Sequence, residues 1–315
     1  NGPERKGRDM GWTNFPHGVT SLGIPQVGSG GIPVTLGDYF FVDSGTGSAS
    51  NPGTDPANPL ATINSAIGKC TANNGDVIVV LPGHTETIAS ATTLVPNVAG
   101  ITIVGLGKGS LVPTLTFSAT GSEIEIGADN ITIENIRFHA GVSAVATGVD
   151  VNANHCTIKD CVFYYGGTTT YDFVQAIDVD AYDDCQIIGC KFYAENATAG
   201  ADQHIRLDDA HRTRIIGCEF YGDCADAAIV GEGAASLSIL IAHNIIYNDD
   251  TSAATNGIHL GVACTGMIAY NSVTGLYATA PTAIIDPGSC GCIENYVSNA
   301  IDESGTIVPI TLSST

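Results

Sequence analysis

The sequence predicts an all-β protein: a single-stranded right-handed parallel β-helix with a short helical N-terminal cap and an extended N-terminal arm. Three observations support this fold class: a phrase that recurs seven times, an apolar strand ahead of most copies, and an abundance of glycine without long amphipathic helical patterns. A sequence period of roughly 20–50 residues is typical of solenoids, in which each repeat stacks on its neighbours.

The recurring phrase begins with isoleucine. Its copies start at Ile133, Ile158, Ile187, Ile215, Ile241, Ile268 and Ile293, at spacings of 25, 29, 28, 26, 27 and 25 residues. Two positions later stand Asn135, Asp160, Gly189, Gly217, His243, Tyr270 and Asn295. Five of these seven belong to residue types that tolerate positive φ, so the pattern predicts a sharp bend there.

Two further columns of the repeat are expected to point inward. The position after the bend holds Ile136, Cys161, Cys190, Cys218, Asn244, Asn271 and Tyr296. Five positions after the isoleucine stand Phe138, Phe163, Phe192, Phe220, Ile246, Val273 and Ser298. The phrase therefore predicts stacked core residues, with an aromatic stack that fades toward the C-terminus.

A second strand precedes most copies by seven or eight residues, as in Ile124-Glu125-Ile126 and Ile177-Asp178-Val179. Its alternation of apolar and polar residues predicts one buried and one exposed face. Coils of a parallel β-helix rise by about one strand spacing, ~4.8 Å. Residues 38 to about 310 then predict roughly ten coils and a rod about 50 Å long.

Composition excludes several function classes. A net charge of −21 argues against nucleic-acid binding and against adsorption to anionic membranes. It also disfavours a polyanionic substrate without a local basic site. No apolar stretch is long enough to span a membrane, and Cys290-Gly291-Cys292 lacks the second ligand pair of a metal site. We predict no metal and no cofactor.

The ten cysteines are not distributed like a disulfide framework. Cys161, Cys190 and Cys218 share one column of the repeat, and Cys156 and Cys185 share another. Both columns should face inward, where free cysteine behaves as a small buried hydrophobic residue. We therefore expect buried, stacked and reduced thiols.

Residues 1–37 are predicted to form an extended Gly/Pro-rich arm, and residues 38–315 the β-helix with its cap. Such an arm cannot bury enough surface to fold alone, yet it carries apolar residues that would pack on a partner subunit. The expected partner-binding residues are Arg5, Lys6, Arg8, Trp12, Phe15, Leu22 and Ile24. The first three form a basic tip in an otherwise acidic chain.

The entry to the rod should combine a strand, a turn-rich loop and a short helix. Tyr39 to Asp43 predicts the strand, and Pro59 to Ile67 the helix. Asn58 is the expected N-cap, with Pro59 at the first helical position. A helix here would cover the open end of the solenoid, which would otherwise be an unpaired edge.

Specific motifs in this region are similar to a known superfamily. The runs Phe41-Val42-Asp43-Ser44-Gly45, Asn58-Pro59-Leu60-Ala61-Thr62-Ile63 and Gly75 to Gly83 resemble the N-terminal cap of the pectin-lyase-like right-handed β-helix proteins. With the repeats, the resemblance covers residues 38 to about 300. It implies the fold, but the superfamily includes lyases, hydrolases, phage tailspikes and non-catalytic virion proteins. The leader from Asn14 to Pro25 resembles β-helix proteins encoded among tailed-phage structural genes.

The best candidate for chemistry is a polar patch on the strands that precede the phrase. Asp178 and Arg206 should lie on adjacent coils and face outward, with Asp180 and Asp208 stacked beside them. Asp209, His204 and His211 are expected nearby. Paired carboxylates could act on a glycosidic bond, and carboxylates with an arginine could bind Ca²⁺, as the resemblance implies for some lyases.

Three observations argue against catalysis. Opposite charges on neighbouring strands are mildly stabilising in any solvated sheet. The Gly-His-Gly and Arg-x-Lys motifs that the resemblance to polygalacturonases would require do not occur. The repeats also carry few basic residues for an acidic glycan.

The sequence thus favours a non-catalytic phage virion protein, a capsid decoration or cement protein on the capsid surface. It would attach through its arm to the major capsid protein or other virion subunits and, by analogy with phage β-helices, form a homotrimer. The alternatives are a tailspike that binds or cleaves host glycans and a secreted polysaccharide lyase.

Overall fold

The chain coils into a parallel β-solenoid whose three sheets run along the long axis. The computed structural model describes residues 32–166, 171–194, 201–248, 256–261, 263–275 and 284–299, and the backbone of two short strands, Val19–Ser21 and Ile24–Gln26. Every pairing between neighbouring coils within this part of the chain is parallel and in register, apart from one irregularity near Gln203.

We call the three sheets sheet I, sheet II and sheet III in the order in which each coil visits them. The described strands of sheet I are Tyr39–Val42, Val77–Val80, Thr102–Gly105, Thr132–Glu134, Thr157–Lys159, Gln186–Ile188, Arg214–Ile216, Ile239–Ala242, Gly266–Ala269 and Gly291–Ile293. Those of sheet II are Thr85–Ile88, Thr114–Phe117, Arg137–Ala140, Val162–Tyr165, Lys191–Ala194, Glu219–Gly222, Ile245–Asn248, Ser272–Gly275 and Tyr296–Asn299. Those of sheet III are Ile124–Ile126, Val145–Val151, Phe173–Asp180, Ala201–Asp208, Cys224–Gly231, Asn256–Leu260 and Ile285–Asp286.

The three corners of a coil differ in how much their lengths vary. In the seven repeats, sheet I is always joined to sheet II by two residues, as at 135–136 and 160–161. The first of these has positive φ in every copy, for example 54° at Asn135 and 64° at Gly189. The predicted bend is confirmed in six of the copies. In contrast, the corner from sheet II to sheet III ranges from one residue, Asp223, to nine, 276–284.

The last copy of the phrase is displaced by one residue from the predicted alignment. Cys292, and not Ile293, pairs with Ile268, and Glu294 has the positive φ of 47°. The alignment at Ile293 is therefore wrong. Because side chains alternate between faces, a slip of one residue exchanges inward and outward positions.

Hydrogen bonds between buried amides explain the displaced alignment. The Asn295 Oδ1 accepts from the backbone N–H of Asn271 at 3.0 Å and from its Nδ2 at 2.9 Å. The Asn271 Oδ1 accepts in the same way from Asn244. Asn295 thus continues the inward column in place of Tyr296, which is 67% exposed. Val297 likewise replaces Ser298 against the core.

The aromatic and cysteine columns lie in the core as predicted. The Phe138, Phe163, Phe192 and Phe220 rings follow one another with centroids 4.7–4.8 Å apart. Cys161, Cys190 and Cys218 are fully buried, and all ten cysteines are free. The Cys190 thiol donates to the carbonyl of Ile158 on the preceding coil at 3.5 Å. These columns fill the interior between sheets I and II.

The cap helix is shorter than predicted and begins later. It spans Ile63–Ile67, and its N-cap is Thr62, whose hydroxyl accepts from the Ser65 N–H at 3.2 Å. The prediction of Asn58 as N-cap was wrong because Leu60 is extended and pairs with Val42 of the first strand. Leu60 donates its N–H to the Phe41 carbonyl at 2.8 Å, so this segment cannot be helical. A single 3₁₀ turn, Gly109–Leu111, occurs farther along in the described chain.

Residues 32–37 were predicted to belong to the arm, but they lie against the first coils. The Thr35 hydroxyl donates to the Gly75 carbonyl at 2.5 Å, and Tyr39 donates its hydroxyl to the Pro33 carbonyl at 2.9 Å. Ile32 packs on a small outer cluster around Val77, Val79 and Val104.

Candidate functional site

The outer face of sheet III carries the polar patch that the sequence predicts. The strands Phe173–Asp180 and Ala201–Asp208 pair so that Asp178 lies opposite Arg206 and Asp180 opposite Asp208. Inward residues Ile177, Val179 and their counterparts are buried. The alternation of apolar and polar residues thus places these charges on one surface.

One guanidinium group joins three carboxylates on this face. Nη1 of Arg206 donates to both oxygens of Asp178, at 3.1 and 3.0 Å, and Nη2 donates to Asp208 at 2.7 Å. Nε donates to Glu232 at 3.0 Å. The Arg206 side chain is only 17% exposed, so water screens these charge-assisted bonds less than on an open surface.

Asp208 is held from a second direction by the following coil. Its Oδ1 accepts the backbone N–H of Ala234 at 2.6 Å. A side chain at Gly233, where φ is 71°, would place a Cβ 2.2 Å from the Asp208 carboxylate. Glycine is therefore required at this position for the carboxylate to reach both donors.

Two carboxyl groups of the same face are partly withdrawn from water. Burial raises the pKa of Asp178 to about 6, more than the Arg206 charge lowers it. Burial also raises the pKa of Asp150 to about 6, with additional repulsion from Glu123, Glu125 and Asp180. Desolvation disfavours the ionised form of a carboxyl group. Both groups can therefore exchange protons near neutral pH.

Sequence reasoning did not include three members of this network. Glu232 bonds Arg206, Asp150 extends the carboxylate column by one coil, and Gln203 donates Nε2 to Asp226 at 3.0 Å and to Glu232 at 3.4 Å. Asp150 could have been found, because it pairs with Asp178 in the same column of the repeat. The irregular register between Ala201 and Gln203 and their partners obscured Gln203.

The other predicted members lie in different surroundings. His204 was expected beside the carboxylates, which is wrong: it is buried and hydrogen-bonded to the Tyr165 hydroxyl at 2.7 Å. Burial lowers the pKa of His204 to about 3. Asp209 is exposed and faces His211 at 3.5 Å. Asp180 is exposed at the end of its strand.

The arrangement suits mutual charge compensation more than reaction chemistry. Within the described residues, no group of three or more His, Cys, Asp or Glu side chains is arranged to hold a metal ion.

The described part of the chain also contains no helix of the length and apolarity needed to cross a bilayer.

Most of the expected partner-binding residues fall outside the described part of the chain. The residues outside it are Arg5, Lys6, Arg8, Trp12, Phe15 and Leu22. Ile24 begins the short strand Ile24–Gln26, which pairs antiparallel with Val19–Ser21. Binding by these residues remains a prediction.

No protein-family profile matches the chain. Comparison with curated protein sequences also gives no match. Among solved structures, the pectin methylesterase from Aspergillus niger is similar, with a TM-score of 0.50 and 18% identity over 92% of each chain.

Two further structures have lower scores. A rhamnogalacturonan lyase has a TM-score of 0.47 and 13% identity, over 86% of this chain and 90% of the lyase. ORF18 of Geobacillus virus E2 has a TM-score of 0.37 and 14% identity, over 82% of this chain and 61% of that protein. At these identities a likeness shows the fold alone. The chain folds as a right-handed parallel β-helix, as the pectin methylesterase does.

Proposed function

We propose that the protein is a non-catalytic structural component of a tailed-phage virion, a capsid decoration protein attached through its N-terminal arm. The virion assignment rests on the resemblance of the leader from Asn14 to Pro25 to β-helix proteins encoded among phage structural genes. The rod would project from the shell, and the arm would bind the major capsid protein or a neighbouring virion subunit.

The non-catalytic part rests on one observation: the charged groups on sheet III bind each other. Arg206 donates to Asp178, Asp208 and Glu232 at 2.7–3.1 Å. Asp208 is further held by the Ala234 N–H. A general acid or base must reach the substrate's proton directly, whereas these carboxylates are oriented toward Arg206 and, for Asp208, also toward the Ala234 N–H.

The test is to locate the chain in particles made from the genome that encodes it. Mass spectrometry of purified virions should detect the chain at a fixed ratio to the capsid protein, and a particle map should show the rod on the shell. Full-length protein added to particles lacking it should rebind. Absence from intact virions would exclude the proposal.

Cleavage of a host glycan, as by a tailspike, is a second candidate, favoured by the two carboxyl groups whose pKa is about 6. Asp150 and Asp178 occupy adjacent coils on the same face, and an acid of this pKa is suited to protonating a leaving group. We expect no cleavage of pectate, alginate or capsular polysaccharide. Degradation that Asp150→Ala or Asp178→Ala abolishes would instead favour the depolymerase.

A further inference from the structure

A second surface, on the outer face of sheet II, carries aromatic side chains in one column. The third position of successive strands holds His139, Tyr164, Tyr193, Tyr221 and Tyr247, paired directly from coil to coil. All five side chains lie on the outward side of their strands. The equivalent central column of sheet III consists instead of Glu125, Asp150, Asp178, Arg206, Val230, His259 and Asp286.

The aromatic rings of this column remain accessible. Tyr193 is 47% exposed and Tyr221 37% exposed. The Tyr164 and Tyr193 rings are nearly parallel, at an interplanar angle of 8°, but their centroids are 6.3 Å apart. The inward phenylalanine rings one residue earlier are 4.8 Å apart on the same coils. The tyrosine rings are therefore offset, which leaves part of each ring face uncovered.

A shallow groove of about 650 Å³ lies along this column. Its lining comprises Arg137, Val162, Tyr164, Lys191, Tyr193, Glu219 and Tyr221. Lys191 and Glu219 form an ion pair at 2.8 Å, and one Arg137 Nη donates to the Gly109 carbonyl at 3.1 Å. A volume of this size is within the usual range of small-ligand sites, about 300–1,000 Å³.

We propose that this groove, the sheet II groove, binds an oligosaccharide. A sugar ring has an apolar C–H face and a rim of hydroxyl groups. The exposed faces of the tyrosine rings can pack against the apolar C–H face of a sugar. The tyrosine hydroxyls and the charged groups of Arg137, Lys191 and Glu219 can hydrogen-bond its hydroxyl groups. Tyrosine also presents a large rigid contact surface at little cost in conformational entropy.

The repeat adds a second argument for a chain of sugars. Tyrosines occupy this position in four successive coils, from Tyr164 to Tyr247, so the same contact is offered again after about 4.8 Å. A polymer with a short repeating unit can use the same contact several times, and linked contacts strengthen binding without any new type of interaction. This site is separate from the sheet III network, and the inference does not depend on a virion role.

The full-length chain can be tested on a panel of immobilised neutral and acidic oligosaccharides from bacterial surfaces. A saturable signal for one class is expected, followed by calorimetry with the soluble oligosaccharide of that class. Tyr193→Ala and Tyr221→Ala should each weaken binding at least about tenfold, equivalent to about 1.4 kcal/mol. Thermal unfolding shows whether each variant is folded. Two variants are used so that the test still holds if one of them does not fold.

Tyr296→Ala is the matched control. Tyr296 is an exposed tyrosine of the same sheet, in the last described coil, and it does not line the groove. Its replacement should leave binding unchanged. The proposal is overturned if no oligosaccharide binds, or if both groove variants bind as well as the wild type. It is also overturned if ultracentrifugation shows self-association that Tyr193→Ala removes, since the occupant would then be a second copy.

Discussion

At the scale of single residues, the carboxylates on sheet III differ in whether a cation faces them. Asp178 receives two hydrogen bonds from Arg206. Asp150 receives a bond from Asn152 at 2.8 Å and otherwise faces Glu123, Glu125 and Asp180. The two groups share a raised pKa of about 6, but the effect of removing the charge should be smaller at Asp178, whose carboxylate Arg206 binds.

Asp150→Asn should stabilise the protein at high pH only. The folded-state pKa of about 6 lies above the ordinary aspartate value of 3.8, so folding favours the protonated form. The stabilisation that Asp150 contributes to the folded protein is then fully present below about pH 4, and it is lost as the pH rises through about 6. Urea unfolding at about pH 8 should show a higher free energy of unfolding than the wild type, and at about pH 4 little difference.

Asp178→Asn is the matched comparison. It removes the charge that Arg206 binds with two bonds, and loss of one partner of a partly buried pair is destabilising. Burial nevertheless leaves the pKa of Asp178 at about 6, so at about pH 8 we expect a smaller gain in the free energy of unfolding than Asp150→Asn gives. Equal effects of the two substitutions would contradict the difference in their surroundings.

The thiols of the inward cysteine column should be chemically inert in the folded protein. Burial raises the pKa of Cys190 well above its usual value, and the reactive species is the thiolate. A disulfide reagent at neutral pH should modify Cys161, Cys190 and Cys218 only as fast as the protein unfolds. Rapid labelling of any of the three, located by peptide mapping, would show that the core is open.

At the scale of the element, the repeat allows most strands to be predicted, because inward isoleucines and bend residues recur in fixed positions. The prediction was wrong where another interaction outweighed the local pattern. Near Leu60, strand pairing with Val42 prevails over the helix signal of Asn58-Pro59. In the last coil, the amide bonds to Asn295 prevail over the isoleucine at 293.

The candidate site was only partly predictable for a related reason. The pairing of Asp178 with Arg206 follows from the period of the repeat. Glu232 approaches through a corner residue, next to Gly233, whose conformation no periodicity specifies. His204 sits near an irregular register and points inward. Corners and irregular pairings are set by tertiary contacts, which one sequence does not reveal.

Asn271→Ala should be strongly destabilising. Asn271 is fully buried, and its amide bonds Ile241, Asn244 and Asn295 at 2.9–3.0 Å. Its removal leaves buried donors and acceptors unsatisfied, at about 1–3 kcal/mol each. We expect the free energy of unfolding to fall by roughly 2–5 kcal/mol in chemical denaturation. Asn58→Ala, on an exposed loop, is the control and should change stability by less than about 0.5 kcal/mol.

At the scale of the whole molecule, the rod is a linear stack in which each coil contacts its neighbours. Stability in such a stack is roughly a sum over coils and interfaces between them. The first coil is covered by the helix Ile63–Ile67 and by residues 32–37, which bond Tyr39 and Gly75. The end of the described stack nearest the N-terminus is therefore protected without the residues before 32.

Deleting residues 1–31 should leave a folded rod that no longer attaches to the particle. Residues 32–37 are kept because they pack on the first coils. Thermal unfolding should be near native, while retention on purified virions should be lost. Wild-type occupancy of the truncated chain would exclude the arm as the attachment device, and a large fall in unfolding temperature would show that the arm also supports the rod.

The unequal corners of the coil determine where the chain tolerates extra sequence. The corner from sheet I to sheet II is two residues long in all seven repeats, whereas the corner from sheet II to sheet III already ranges from one residue to nine. Foreign peptides grafted at the second corner, for instance beside Asp223, should be accommodated on each coil independently. Several grafts would form a column along one edge of the rod, at the spacing of the strands, so the fold could serve as a scaffold for ordered multivalent display.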